Sequence, residues 1–121
     1  MISICEGLSL GEKLGIDPKV LSDIISTSTG SCFSLTHYNP VPGVLPEAPS
    51  TRDYEGGYSI ALAEKDLRLA LKFADTVNMA LPFSRKALEH YEAEENQGVP
   101  ATKDFSIMYK YVRSLKKNNE I

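Results

Sequence analysis

The chain has 121 residues, enough for one domain, and its 42% hydrophobic content allows a modest core. Its net charge is -3, and acidic and basic residues are interspersed, so no basic stripe favours nucleic-acid binding. No apolar tract approaches the length of a membrane span. Cys5 and Cys32 form no CxxC pattern and no Cys/His cluster at metal spacing, so no metal site is expected. They are typical of reduced thiols in an intracellular protein.

A first helix is predicted from the very start of the chain, because Met1, Cys5 and Leu8 already follow a helical rhythm. No Ser, Thr, Asp or Asn precedes them as an N-cap. Either the first turns of this helix lie outside the chain, or the helix frays at its terminus. Gly15 is expected to end it, since glycine adopts a left-handed conformation without penalty.

A second helix is predicted to begin at Asp17-Pro18, with the aspartate as N-cap and the proline in the first turn. The Ser/Thr-rich run STSTGS ends it. Residues 30–58 then contain four prolines, which forbid a regular helix and favour extended backbone. A loop of this length is unusual in a compact domain and is often functional.

The longest periodic run, residues 56–77, predicts a helix with two apolar faces. The first face consists of Ile60, Ala63, Leu67, Ala70, Leu71, Ala74 and Val77, and the second of Leu62, Leu69 and Phe73. A helix that is apolar on two sides packs against neighbours on two sides, so we expect it at the centre of the domain rather than at its rim. Apolar surface left uncovered by the chain itself is expected to drive self-association.

Two charged residues of this helix are candidates for a site. Asp66 projects between the two apolar faces, where a carboxylate needs hydrogen bonds or a cation, because an unpaired buried charge is costly. Lys65 lies where the charged side meets the second apolar face, so its stem can pack while its ammonium reaches outward. It is either a lysine on a solvated helix face or a lysine at a pocket wall that binds an anion. Helical spacing does not separate these two interpretations.

A further helix is predicted to begin at Leu81-Pro82, to run to the acidic segment EAEEN and to end at Gly98. Thr102 is expected to cap a last helix, and the tail at 116–119 is expected to be disordered. No strand of any length emerges from the pattern. The chain is therefore predicted to be all-α, with five helices.

Several segments together resemble the β-hydroxyacid dehydrogenase family. The segment GGYSIALAEKDLRLA is similar to the family's GGF…KDLxLA block, and the preceding YNPVPGV is similar to the loop ahead of it. LGIDPKVL, STSTGSCFS and the later KDFS also match segments of the family in the same order. The likeness covers almost all of the chain.

The resemblance implies a helical bundle like the C-terminal domain of 6-phosphogluconate dehydrogenase-like enzymes, spanning residues 1–121. The family's N-terminal Rossmann domain, which binds most of the NAD, is absent from this sequence. Its serine-glycine-glycine substrate element and its GxxxKxxxN block, which carries the catalytic lysine, are absent as well. No catalytic residue is therefore expected in this chain. The opening residues resemble the interior of the helix that connects the family's two domains.

The resemblance also implies roles for four residues. By its match to the KDL motif, Lys65 is implied to bind the cofactor on the nicotinamide side of the cleft, where its charge helps to hold NAD or an anionic substrate. Asp66 matches the neighbouring aspartate and Tyr58 replaces the family's phenylalanine, and both are assigned to the substrate cleft. Asn39 lies in the loop that is implied to enclose the substrate.

Two functions stay open at this point. The chain is either the C-terminal domain of an NAD-dependent dehydrogenase, inactive alone, or a non-catalytic helical module retained for dimerisation. The implied partners are a small 3-hydroxyacid and further copies of the chain, without nucleic acid or membrane. The implied location is mitochondrial in a eukaryote and cytoplasmic otherwise.

Overall fold

The computed structural model describes residues 1–116, which form six α-helices and two 3-10 helices. The α-helices are α1 (Ile2–Lys13), α2 (Pro18–Ser26), α3 (Phe33–Thr36), α4 (Ile60–Thr76), α5 (Pro82–Asn96) and α6 (Met108–Ser114). The 3-10 helices are Pro49–Arg52 and Phe105–Ile107. Extended pairing among these residues is limited to an isolated bridge between Ser59 and Asp104. The all-α prediction is confirmed, with one helix more than expected.

The chain divides into two compact units. The first, which we call the loop unit, comprises Met1–Glu55 and residues 106–116 of the described chain. The second, which we call the hairpin unit, comprises Gly56–Phe105 and contains α4 and α5. That all 121 residues act as one domain stays a prediction. The part of the tail at 117–119, for which disorder was predicted, lies outside the described residues.

In the loop unit, the first two helices end and begin where the sequence predicted. Gly15 follows α1 with φ at +83°, which a residue with a side chain rarely adopts. The carboxylate of Asp17 caps α2 by accepting hydrogen bonds from the amides of Lys19 (2.9 Å) and Val20 (3.0 Å). α1 packs against both α2 and α6, and its Leu8 is fully buried.

The Pro-rich loop of this unit is held by side chains rather than by regular backbone pairing. The hydroxyl of the fully buried Tyr54 donates to the carbonyl of Pro40 at 2.8 Å. The hydroxyl of Ser50 donates to the carbonyl of Asn39 at 2.7 Å. Prolines lack the N–H that a regular ladder needs, so buried carbonyls in such a loop find side-chain donors instead. The helix that the sequence did not predict, α3, forms ahead of the first of these prolines.

In the hairpin unit, α4 packs against α5. α4 begins at Ile60 with Ser59 as its N-cap, four residues later than predicted. The cause is that Gly56 and Gly57 have φ values of 72° and 77°, outside the helical region. α5 ends ahead of Gly98 as expected, and this glycine also has a positive φ.

The last helix differs from its prediction, because Thr102 does not cap it. α6 begins only at Met108, after the 3-10 helix Phe105–Ile107, and its N-cap Ile107 makes no side-chain cap bond. Residues 101–105 bond instead to the residues at the start of α4. Backbone groups used in that pairing are not available for a helix.

The two apolar faces of α4 have different environments. Four residues of the first face are buried, namely Ile60, Ala63, Leu71 and Ala74, although Val77 at its end is 71% exposed. On the second face, Leu62, Leu69 and Phe73 are all 43–62% exposed. We call these three residues the exposed stripe. The prediction that α4 lies at the centre with neighbours on two sides is therefore wrong for the described residues. Periodicity shows that a face is apolar, but it does not show what covers that face.

Candidate functional site

The candidate site is built at the beginning of α4, where a glycine-rich turn leads into Tyr58. The backbone of this residue is clamped to the chain that follows α5. Its N–H donates to the carboxylate of Asp104 at 2.8 Å, and its carbonyl accepts from the amide of Phe105 at 2.7 Å. The rings of Tyr58 and Phe105 meet edge to face, with 5.2 Å between their centroids. Because Asp104 is fully buried, this clamp fixes where α4 begins.

The first four N–H groups of α4 all have partners within the hairpin unit. Two bond to the carbonyls of Ala101 and Lys103, and two bond to the hydroxyl and carbonyl of Ser59, at 2.9–3.3 Å. The free N–H groups at the start of a helix often bind anions, but here they are occupied. An anionic ligand at this end of α4 would therefore meet the side chain of Lys65 rather than backbone N–H groups.

The structure brings Lys65, Asp66 and Tyr58 together. The Nζ atom of Lys65 lies 3.0 Å from Oδ1 of Asp66. The hydroxyl of Tyr58 donates to Oδ2 of the same carboxylate and also lies 3.0 Å from the carbonyl oxygen of Leu62. The two oxygens of Asp66 therefore have different partners, one a cation and the other a neutral donor.

These contacts set the charge of each group. Partial burial and the bond to Asp66 raise the pKa of Tyr58 to about 12, so its hydroxyl keeps its proton at neutral pH. The hydrogen bond from Tyr58, together with the contact with Lys65, holds the pKa of Asp66 below its usual value, so Asp66 is a carboxylate. The side chain of Lys65 is 64% exposed, which leaves its ammonium accessible. Its role in cofactor binding stays a prediction.

Asn39 belongs to the loop unit, where its side chain already has partners. It is 1% exposed, and its amide nitrogen donates to the hydroxyl of Ser22 at 2.9 Å. Its amide oxygen accepts from the N–H of Val41 at 3.1 Å. These bonds hold the turn that opens the Pro-rich loop. The predicted place of Asn39 in the substrate cleft stays a prediction.

Sequence analysis did not single out Asp104, which the structure shows at the base of the site. It is 46 residues away from Tyr58 along the chain, so no helical or strand spacing relates the two. The KDFS segment that contains it was noted only as a resemblance. One signal was present, because Asp104 is the single acidic residue between Gly98 and Arg113 in a segment rich in apolar residues. A buried aspartate there needs donors, and the Tyr58 N–H is one of them.

A cavity of about 500 Å³ lies at the other end of α4, at its turn into α5. Its lining includes Leu71, Met79, Leu81 and Arg85, and Lys65 is not part of it. Within residues 1–116, no group of three or more His, Cys, Asp or Glu side chains could hold a metal ion. No helix in that range combines the length and the apolar character needed to cross a membrane.

The chain is similar to known dehydrogenases over most of its length. It is 41% identical to the mitochondrial 3-hydroxyisobutyrate dehydrogenase of Drosophila melanogaster, over 96% of this chain and 36% of that protein. It is 38% identical to the mitochondrial enzyme of the same name from Homo sapiens, over 93% of this chain and 33% of that protein. A solved structure of Mycobacterium tuberculosis 3-hydroxyisobutyrate dehydrogenase with L-serine matches with a TM-score of 0.85 and 34% identity. This match covers 93% of this chain and 38% of that one.

The fold and these similarities place the chain among all-α domains that resemble part of 3-hydroxyisobutyrate dehydrogenases. The sequence model described as "NAD-binding of NADP-dependent 3-hydroxyisobutyrate dehydrogenase" matches residues 1–112. The chain belongs to this family. It spans about a third of the length of the relatives named above. The resemblance noted from the motifs is therefore confirmed.

Proposed function

We propose that this chain forms the C-terminal helical domain of an NAD-dependent 3-hydroxyisobutyrate dehydrogenase. In that enzyme, 3-hydroxyisobutyrate is oxidised to methylmalonate semialdehyde while a hydride passes to NAD, a step of valine breakdown. The reaction takes place in mitochondria if the source is a eukaryote, and in the cytoplasm otherwise. The observation that carries the proposal is the exposed ammonium of Lys65, held by Asp66 on α4 in a chain of this family.

Lys65 binds an anion in this proposal, either a phosphate of the cofactor or the carboxylate of the substrate. The occupied N–H groups at the start of α4 favour this assignment, because they leave the side chain to supply the positive charge. Tyr58 and Asp66 form the adjoining part of the cleft wall, and Asn39 supports the loop assigned to enclose the substrate. The pyrophosphate loop and the lysine that assists proton removal come from sequence outside these 121 residues.

The binding role of Lys65 is tested in the full-length enzyme that carries these residues. Lys65→Ala is expected to raise the Kd for NADH about tenfold, because a hydrogen bond to a charged group is worth about 1.5–3 kcal/mol. Lys72→Ala, on an exposed position of the same helix, is the matched control and should leave the Kd unchanged. NADPH is titrated in parallel, since the description of the family names NADP. Equal NADH affinity for the wild type and Lys65→Ala would contradict the proposal.

The expectation that this domain is inactive without the rest of the enzyme has its own test. The 121 residues alone are expected to show no turnover of 3-hydroxyisobutyrate with NAD, because the block that carries the catalytic lysine is not among them. Robust turnover by this chain would refute that expectation.

A second candidate is a non-catalytic helical module that dimerises, and the exposed stripe on α4 favours it. Burial of these exposed apolar side chains against a second copy of the chain would lower the free energy of the dimer. Sedimentation should then show a species heavier than the 13.3 kDa monomer. Leu69→Glu should shift it toward the monomer, while Ala61→Glu on the same helix should not. A transcript that encodes GxGxxG upstream of residue 1 would argue against a purely non-catalytic role.

A further inference from the structure

We propose that the hydroxyl of Tyr58 is a positioning group for Lys65 and that it acts through Asp66. The inference rests on the proposed function, in which Lys65 meets an anionic ligand. The motif that this segment resembles has phenylalanine at this position, whereas this chain has tyrosine. In the structure the hydroxyl points forward along α4, to the carbonyl of Leu62 and to Asp66.

Helix geometry alone does not bring the side chains of Lys65 and Asp66 into contact. Neighbouring residues on an α-helix project about 100° apart and do not face each other, unlike residues three or four positions apart. Both side chains are more than half exposed, and exposed ion pairs contribute little on their own. A further contact is therefore needed to keep the carboxylate turned toward the lysine, and the bond from Tyr58 to the second carboxylate oxygen is that contact.

Tyr58 can serve as a fixed point because its own position is determined elsewhere. Asp104 and Phe105 hold its backbone, and the edge-to-face contact with Phe105 holds its ring. The raised pKa keeps the hydroxyl protonated, so it acts as a donor throughout the neutral range. A phenylalanine would keep the ring contact and lose only the donor.

The bond also affects the charge that a ligand meets. Asp66 competes with an anionic ligand for the ammonium of Lys65, since both are negative. By donating to Oδ2, the Tyr58 hydroxyl stabilises the negative charge of the carboxylate and weakens its attraction for the lysine. The same bond restricts rotation of the carboxylate beside the lysine. Loss of the hydroxyl therefore loosens the lysine and also increases repulsion of the ligand. Both effects weaken anion binding.

The test is a double-mutant cycle in the full-length enzyme, with NADH as the probe. Tyr58→Phe is expected to raise the Kd for NADH about fivefold, with kcat changed less than about twofold, as loss of one hydrogen bond predicts. In the Asp66→Asn background the same substitution should have no further effect. Tyr109→Phe, which removes a tyrosine–carboxylate bond to Glu12 in the loop unit, is the matched control and should leave the Kd unchanged.

Two results would overturn the inference: an unchanged Kd in Tyr58→Phe, or an equal effect of Tyr58→Phe in both backgrounds. NMR titration of Tyr58 distinguishes the positioning role from a purely structural one. In Asp66→Asn the pKa of the Tyr58 hydroxyl should fall while the melting temperature stays constant. Lys65→Ala separates the two proposals. If it leaves NADH affinity unchanged, the proposed function fails; if it weakens binding and Tyr58→Phe does not, only this inference fails.

Discussion

Glu12 of the loop unit and Glu94 of the hairpin unit are carboxylates in opposite electrostatic situations. Glu12 accepts a hydrogen bond from Tyr109 and pairs with Arg113, and these contacts lower its pKa. Glu94 is 1% exposed, and neither of its oxygens has a hydrogen-bond partner among residues 1–116. Burial therefore raises the pKa of Glu94 to about 7.

The two carboxylates contribute to the free energy of unfolding with opposite signs at neutral pH. A paired carboxylate favours the folded state at neutral pH, whereas a buried unpaired one opposes it. The hairpin unit carries Glu94, the exposed stripe and the candidate site. Four comparisons test this contrast between the units.

The largest effect is expected in the core of the loop unit. Leu8→Ala should lower the free energy of unfolding by about 3 kcal/mol, because it leaves a cavity where a fully buried side chain stood. Urea denaturation measures this change. Leu10→Ala on the same helix is the control, since Leu10 is 61% exposed and should change stability by less than about 0.5 kcal/mol. Equal losses for the two variants would contradict the packing described for α1.

The next effect belongs to the hairpin unit and has the opposite sign. Because the folded pKa of Glu94 lies above its ordinary value of 4.5, stability falls as pH rises from 4.5 to about 7 and stays low above that. Glu94→Gln removes the charge, so the variant should be more stable than the wild type by about 2 kcal/mol at pH 8. Near pH 4.5 the two should unfold at the same urea concentration.

The matched control for that experiment is Glu89→Gln, which changes the same charge at an exposed position of α5. It should show no comparable gain at pH 8. A Glu94→Gln protein that is less stable than the wild type at pH 8 would show that the carboxylate has a partner after all.

A smaller loss of stability is expected when the N-cap side chain of α2 in the loop unit, or of α4 in the hairpin unit, is removed. Asp17→Ala should cost about 1 kcal/mol, because the carboxylate caps two amides of α2. Ser59→Ala should cost about half as much, since its hydroxyl accepts from one amide of α4 and the carbonyls of Ala101 and Lys103 accept from two others. Thermal unfolding of both variants gives the ratio. A larger loss for Ser59→Ala would mean that the pairing with 101–105 contributes little.

The smallest effect is expected for Glu12→Gln. The pKa of Glu12 is lowered by its bond from Tyr109 and by its pair with Arg113, so its contribution is present above the unfolded pKa and is lost as pH falls through the folded pKa. Its side chain is one third exposed, and solvent screening limits the loss at pH 7 to about 0.5 kcal/mol. The difference from the wild type should shrink as pH falls below 4.5, as chemical denaturation at pH 7 and at a series of lower pH values would show.

The parts of the fold that the sequence predicted well depend on local signals. Asp17 caps α2, Gly15 follows α1, and Gly98 follows α5, because each residue acts on backbone within four positions of itself. The predicted start of α6 was wrong because it depends on residues 101–105. These residues bond to the beginning of α4, far earlier in the chain, instead of forming a helix. No periodicity records such a partner.

For the candidate site, too, some residues could be predicted from local sequence signals and others could not. The KDL motif pointed to Lys65 and Asp66. The side chain of Asp66 is 53% exposed rather than buried between two apolar faces, so the expected burial was wrong. Helical spacing did indicate that this carboxylate needed a partner. It did not indicate Tyr58, which precedes the helix and lies eight residues away. Nor did it indicate that the buried Asp104 fixes the backbone of that tyrosine.

The all-α class, most helix boundaries, the family and the importance of Lys65 could be predicted from the residues alone, since these follow from short-range backbone preferences and from a motif. Which apolar face of α4 is covered, and which groups bond to Asp66, became clear from the three-dimensional contacts. The physical reason is that burial and hydrogen bonding depend on segments distant in the chain. A carboxylate at a given position is paired like Glu12 or unpaired like Glu94 according to what the fold places against it.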